Sequence, residues 1–325
     1  MTENIVTSDN FEEYLISHPF LGKPENLYNS MNYIMQLGGK RMRPKLLLLA
    51  HQCMAGTLTK DVYQLALAIE TLHNFSLVHD DIIDNAPIRR GKKTVHEEWN
   101  LPTAILAGDN LLIKCYDLIL KTSLPQKEEL LNEFTTMAMQ VCEGQQMDMN
   151  LPGKEHITEE EYLHMIRLKT AVLPACALKM GALAAGASLD KSDHFYDFGL
   201  NLGMAFQLQD DFLDCFGTAA ETGKQEGGDI LENKRTLLFL HAQQHLEGSD
   251  REELNRWYGE RVLDQSAKIN RVRELFVKAG SDRYLLNLKH EFEEHALENL
   301  EQACGQSEFK QHVLMLFDFL KARKV

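Results

Sequence analysis

The residues best suited to chemistry in this 325-residue chain stand in two short acidic runs. The first reads His79-Asp80-Asp81-Ile82-Ile83-Asp84. On a helix, Asp80 and Asp84 lie one turn apart on a shared face, with Asp81 on its flank. Carboxylates that close repel one another, and a divalent cation relieves the repulsion. Magnesium suits such a place, because it takes one or two carboxylates, keeps waters and fills its shell with phosphate oxygens. A solvated acidic helix face is the plainer alternative, weakened here because Leu77, Val78, Ile82 and Ile83 flank the acids. The second run, Asp210-Asp211-Phe212-Leu213-Asp214, repeats the pattern in an equally apolar setting. Gln207, Asp210, Asp211 and Asp214 stand at i, i+3, i+4 and i+7, which makes one polar stripe. One DDxxD is a weak signal, whereas two are much harder to dismiss. Two such faces across a cavity would hold a cluster of metal ions, and the cluster needs a polyanion such as diphosphate to balance it.

The cations are also clustered. Gly38-Gly39-Lys40-Arg41-Met42-Arg43-Pro44 sets three of them beside a flexible turn and a helix-starting proline. Arg89-Arg90-Gly91 follows the first acidic run, and Lys169, Lys224 and Lys234 stand apart. In a chain of net charge −14, arginines grouped beside carboxylates fit a phosphate clamp. Surface ion pairing is the alternative for any one of them alone. His73 lies two turns before Asp80 on the same face, although a lone helical histidine is more often a satisfied core residue. The pattern describes one metal-mediated anion site and one metal-free anion site, suited to two diphosphate esters with apolar tails.

Helical periodicity runs almost from end to end, so the elements that position these residues are predicted to be helices. Val62, Leu65, Ile69, Leu72 and Ser76 form a stripe with Asp61 as N-cap. Thr158 and Glu161 fit a capping box opening a long helix through Met180. Tyr196 to Phe216 and Phe309 to Ala322 are helical as well, and no alternating strand of convincing length is present. With only 20 Gly and 8 Pro the breaks are short, which favours one all-α domain over residues 1–325, its helices surrounding a central cavity. The negative charge argues against nucleic acid as a partner. No apolar run approaches about 18 residues, and Met-Thr-Glu-Asn-Ile-Val lacks both regions of a secretory signal. Six cysteines without a CxxC pair read as reduced, packed thiols. A cytoplasmic protein with no integral membrane segment is expected.

Taken in order, GGKRMRP (Gly38 to Pro44), DDIIDNAPIRRGKKTVH (Asp80 to His96), Lys169-Thr170, FQLQDDFLD (Phe206 to Asp214) and GDILENK (Gly228 to Lys234) resemble the trans-isoprenyl diphosphate synthases of the polyprenyl synthetase family. The resemblance implies an antiparallel helical bundle around a central cavity (the isoprenoid synthase type I fold), usually in a homodimer. It implies that Asp80, Asp81, Asp84, Asp210 and Asp214 hold three Mg²⁺ ions. Arg89, Lys169 and Lys224 would bind the allylic diphosphate, and Lys40, Arg43, His73 and Arg90 isopentenyl diphosphate. Thr170 and Gln207 would face the developing cation. Lys234 matches with an offset, since its segment is one residue longer than in many relatives. The family's basic C-terminal closure is only faint in Lys321-Ala-Arg-Lys-Val.

The implied reaction ionises an allylic diphosphate, traps the carbocation with isopentenyl diphosphate and loses a proton. A growing tail is expected to run beside the helix of Asp80. At about 1.5 Å per residue, Phe75 lies roughly 7–8 Å and Leu72 roughly 12 Å below that residue. Phe75 could form the floor, with Ser76 leaving room beside it; simple packing of Phe75 against a neighbouring helix is the alternative. An aromatic at this position resembles short-chain members, and the lack of a two-residue insertion in the motif points to C20 (geranylgeranyl diphosphate) before C15 (farnesyl diphosphate). The rivals are a terpene cyclase, which needs no isopentenyl diphosphate pocket, and a non-catalytic subunit of a heteromeric synthase, which would have lost acidic motifs.

Overall fold

In the computed structural model the described residues are 8–154, 156–218, 226–259, 264–305, 307–308 and 310–321. Lys224 and residues 322–325 lie outside them. The chain divides into two compact units, each assembled from stretches that interleave in sequence. Met1–Ala138, Cys176–Tyr196 and Cys304–Val313 make the first; Met139–Ala175, Asp197–Ala303 and Leu314–Val325 make the second.

The helices in chain order open with α1 (Ser8–Ser17), α2 (Glu25–Gln36), α3 (Met42–Ala55) and α4 (Lys60–Ile83). A hairpin follows, β1 (Ile88–Arg89) and β2 (Lys92–Lys93), then α5 (Val95–Glu98), α6 (Leu101–Leu120) and α7 (Lys127–Asn150). Next come α8 (Glu159–Ile166), α9 (Val172–Ala184), α10 (Leu189–Phe216), α11 (Gly228–Leu231) and α12 (Leu237–His245). The last are α13 (Gly248–Gly259), α14 (Gln265–Ala279), α15 (Ser281–Cys304) and α16 (Lys310–Lys321). Among the described residues the hairpin is the whole of the sheet structure.

In the first unit α4 packs on α3 and α6. Leu65, Ile69 and Leu72 of the expected stripe are buried, and Leu111 and Ile119 of α6 are buried with them. The cap differs from expectation. Thr59 occupies the N-cap position of α4, and Asp61 sits inside the first turn, where its Oδ2 accepts from Ser123 N at 3.0 Å. A carboxylate there still complements the helix dipole.

In the second unit the capping box is present: Thr158 Oγ1 accepts from Glu161 N at 3.1 Å, and Thr158 N donates to Glu161 Oε2 at 3.0 Å. The helix it opens does not run unbroken to Met180. A π-helical turn at Arg167–Ala171 separates α8 from α9. Pro174 explains the break, because it offers no N–H to the carbonyl one turn back, and π turns accommodate such a loss. Glycines flank the turn. A Cβ on Gly144 of α7 would collide with the Lys169 backbone, and one on Gly203 of α10 would stand 2.6 Å from Ala171 Cα. The two helices can thus approach the turn that carries Lys169 and Thr170.

Candidate active site

The acidic end of α4 presents its carboxylates unequally. Asp80 is half-buried and Asp84, the C-cap, is exposed, whereas Asp81 is 1% exposed. Asp81 departs from the expectation of three similar metal ligands. Both of its oxygens accept from Arg89: Nε donates to Oδ1 and Oδ2 at 2.9 Å each, and Nη2 to Oδ1 at 2.7 Å. One residue is about 100° of helix rotation, which turns Asp81 off the face shared by Asp80 and Asp84. The hairpin then separates the two arginines. Arg90 and Gly91 form its turn with φ of 51° and 74°, the positive pair of a type I′ turn. Arg89 reaches the acidic motif, while Arg90 Nη1 donates to the Gly38 carbonyl.

Arg90 is also close enough to act on Arg43 and His73, a second polar group of the first unit. Gly39, at φ 138°, leaves no space for a side chain, since a Cβ would stand 2.8 Å from Arg90 Nη1. Arg43 Nη1 and His73 Nε2 are 3.1 Å apart, so His73 accepts as the neutral ring. Burial holds its pKa well below the usual histidine value, and Arg43, Arg90, Arg89 and Arg41 push the same way. His73 is therefore a partner of Arg43 and not simply a packed core histidine. Arg43 Nε is buried with no hydrogen-bond partner among the described residues, as expected of a donor held for an anion. Lys40 is exposed in the same segment.

In the second unit the π turn and α10 gather the rest. Lys169 Nζ donates to Asp148 Oδ2 at 2.5 Å, and Thr170 Oγ1 to Gln207 Oε1 at 3.1 Å. Gln207 Nε2 donates onward to Asp211 Oδ1 at 2.9 Å. Tyr162 Oη donates to the other oxygen of Asp211 at 2.6 Å. Burial raises the Asp211 carboxyl to about 7; Asp229 and Asp210 add to this, and the two donors oppose it. Asp210 and Asp214 are half-buried. Asp214 Oδ1 accepts from Asp229 N at 2.7 Å, tying α10 to the start of α11. Lys234 pairs with Asp229 at 3.0 Å and with Glu232 at 2.9 Å. Against the lowering effect of burial, these two carboxylates raise its pKa. Lys169, Thr170, Gln207, Asp211, Asp229 and Lys234 line one cavity of about 210 Å³.

Sequence reasoning did not find Asp148, Tyr162 or Asp229. Asp229 carried a usable signal, a carboxylate inside the GDILENK segment, whereas Asp148 and Tyr162 owe their roles to folding partners 21 and 49 residues away. Of the expected tail-length residues, Leu72 is buried and Phe75 is 8% exposed. The Phe75 ring meets His79 edge-on, centroids 4.9 Å apart, and Ser76 Oγ donates to its own helix at His73 O, 2.9 Å away.

The description "Polyprenyl synthetase" matches residues 24–276. The chain belongs to the polyprenyl synthetase family. Over 237 residues it is 41% identical to a protein named geranylfarnesyl diphosphate synthase from Natronomonas pharaonis, covering 68% of this chain and 70% of that one. It is 34% identical over 304 residues to a geranylgeranyl diphosphate synthase from Methanosarcina mazei, covering 93% and 91% of the two chains. Among solved structures, a geranylgeranyl pyrophosphate synthase matches with a TM-score of 0.91 at 39% identity, over 98% of both chains. The family and the all-α isoprenoid synthase fold expected from the motifs are those of this polyprenyl synthetase.

Proposed function

We propose that this polyprenyl synthetase condenses isopentenyl diphosphate with an allylic diphosphate, releases diphosphate, and stops at a short product, C20 before C15. What supports the reading is that one chain carries two DDxxD runs and, separately, a group of arginines with a neutral histidine. The outer carboxylates of each DDxxD turn suit metal-bound diphosphate oxygens, and Arg43, His73 and Arg90 suit a diphosphate without metal. A terpene cyclase has no use for the second site, and a non-catalytic subunit has none for intact acidic turns.

The donor set fits Mg²⁺. Asp80, Asp84, Asp210 and Asp214 offer hard carboxylate oxygens, and three ions are expected. No group of three or more His, Cys, Asp or Glu that could hold a metal ion converges among the described residues, so diphosphate oxygens and water would complete each shell. Bound Mg²⁺ would neutralise charge on the leaving diphosphate. The chain's own part is to orient and neutralise. Arg89, Lys169 and Lys224 hold the allylic diphosphate; Lys40, Arg43, His73 and Arg90 hold isopentenyl diphosphate. Lys169 and Lys234 rest on Asp148 and Asp229 and exchange those partners for phosphate oxygens. The Thr170 and Gln207 oxygens stabilise the nearby cation.

We read the protein as a cytoplasmic homodimer. Leu106, Ile113 and Leu120 are exposed at seven-residue spacing on α6, an apolar stripe suited to a second copy, and six dispersed cysteines suit a reducing compartment. No helix among the described residues is long and apolar enough to cross a membrane.

The test is chromatography of dephosphorylated products from the purified chain with Mg²⁺, isopentenyl diphosphate and farnesyl diphosphate. A linear C20 alcohol is expected. A cyclic hydrocarbon, no product, or a product beyond about C25 would each overturn the reading in a different way. Phe75→Ala is expected to lengthen the product; an unchanged length moves the stop to Leu72 or another helix.

A further inference from the structure

Of the three cations in Lys40-Arg41-Met42-Arg43, one is turned away from the metal-free site. Arg41 is 3% exposed. Its guanidinium is consumed by the chain's own acceptors. Nε donates to Glu12 Oε2 at 2.9 Å, Nη1 to Glu70 Oε1 at 2.6 Å, and Nη2 to the Met35 carbonyl at 2.6 Å and to Glu12 Oε1 at 3.3 Å. These acceptors come from α1, α4 and α2, so one side chain ties three helices to the first residue before α3.

The backbone at that residue is unusual. Arg41 has φ 48° and ψ 41°, the left-handed region that residues with a Cβ seldom occupy. Such a conformation persists where its surroundings over-determine it, and the capture of the guanidinium by three helices provides that. The turn decides where Lys40 and Arg43, one residue before and two after, direct their charges. Arg41 also sets the local field. Glu70 stands three residues before His73 on α4 and is close enough to act on Arg43 and Arg90. With Arg41 in place, the Glu70 and Glu12 carboxylates are neutralised in part instead of opposing an incoming anion.

We propose that Arg41 is a positioning residue which, by bridging Glu12, Glu70 and the Met35 carbonyl, holds the left-handed turn that presents Lys40 and Arg43 to isopentenyl diphosphate without touching it. The inference rests on the reading of Arg43, His73 and Arg90 as the metal-free diphosphate site. Lysine cannot replace this arginine, because a single ammonium lacks the planar fork that spans α1 and α4 together.

The experiment measures calorimetric binding of isopentenyl diphosphate to the full chain in EDTA, and the KM for each substrate with Mg²⁺, for the wild type, Arg41→Lys and Glu12→Gln. Arg41→Lys is expected to weaken isopentenyl diphosphate binding and raise its KM about tenfold, with kcat and the allylic KM within about twofold of wild type. Glu12→Gln removes one charge at the partly exposed end of the bridge and keeps the proposal testable if Arg41→Lys does not fold. It is expected to raise the same KM alone, by about threefold. Wild-type affinity in a folded Arg41→Lys chain, or in Glu12→Gln, overturns the bridge, as does an equal rise in both KM values. A wild-type chain that itself does not bind isopentenyl diphosphate in EDTA overturns the underlying site reading.

Discussion

In the first acidic turn the buried middle carboxylate, Asp81, faces a cation, Arg89; in the second, Asp211 faces the neutral donors Tyr162 and Gln207. The outer carboxylates of both turns are more open to solvent than the middle ones. A shared spacing thus yields the same arrangement by different means: a middle carboxylate is anchored in each, and the outer carboxylates carry the metal role proposed above. The Asp81–Arg89 pair meets its desolvation cost with Coulomb attraction, which is lost as a whole if one partner goes. Among the described residues Asp211 is held by the neutral donors Tyr162 and Gln207, and burial raises its carboxyl to about 7. Arg89 combines anchoring with a proposed diphosphate contact, whereas in the second half anchoring falls to Tyr162 and the proposed anion binding to Lys169 and Lys234.

The largest expected effect tests whether the two turns are equals in catalysis. Asp80→Ala and Asp210→Ala should each lower turnover by about a thousandfold or more, with melting temperatures within a few degrees of wild type. A variant that keeps near-normal rates at limiting Mg²⁺ would remove its turn from the comparison. The anchors come next. Arg89→Ala leaves a buried carboxylate without its cation and should cost about 3 kcal/mol in urea denaturation. Tyr162→Phe removes one neutral donor and should cost about 1 kcal/mol. Equal losses would erase the distinction between the charged anchor and the neutral one.

A smaller effect belongs to the first half alone. The folded-state pKa of His73 is pushed down by burial and by the surrounding arginines. Unfolded, the ring takes a proton near pH 6.5. The stability linked to His73 is therefore fully present above that value and is lost as pH falls below it, at up to about 1.4 kcal/mol per pH unit. His73→Gln should flatten the decline of unfolding free energy between pH 6.5 and 5 in the ligand-free protein, and an unchanged slope would contradict a neutral His73.

Much of this was legible in the sequence because it depends on spacing. Both acidic turns, the GGKRMRP segment and the Thr158 capping box follow from local patterns, and the division between Arg89 and Arg90 is what the family resemblance implies. What the sequence hid depends on partners distant along the chain. Asp81 and Asp84 look alike until the hairpin places Arg89 on one of them. The π turn beneath Lys169 needs Pro174 within the helix and glycines on two neighbouring helices. Arg41 reads as one more cation of the GGKRMRP segment until Glu12 and Glu70 converge on it.

The central claim, that outer carboxylates serve metal and middle ones anchor, is tested most directly by the Mg²⁺ dependence of turnover in Asp80→Asn and Asp81→Asn, with melting curves of both in EDTA. The account predicts that Asp80→Asn demands far more Mg²⁺ for a much lower maximal rate while melting like the wild type. Asp81→Asn should melt earlier and keep a Mg²⁺ requirement much nearer that of the wild type. The reverse assignment, or an equal rise in Mg²⁺ requirement for the two variants, would contradict it.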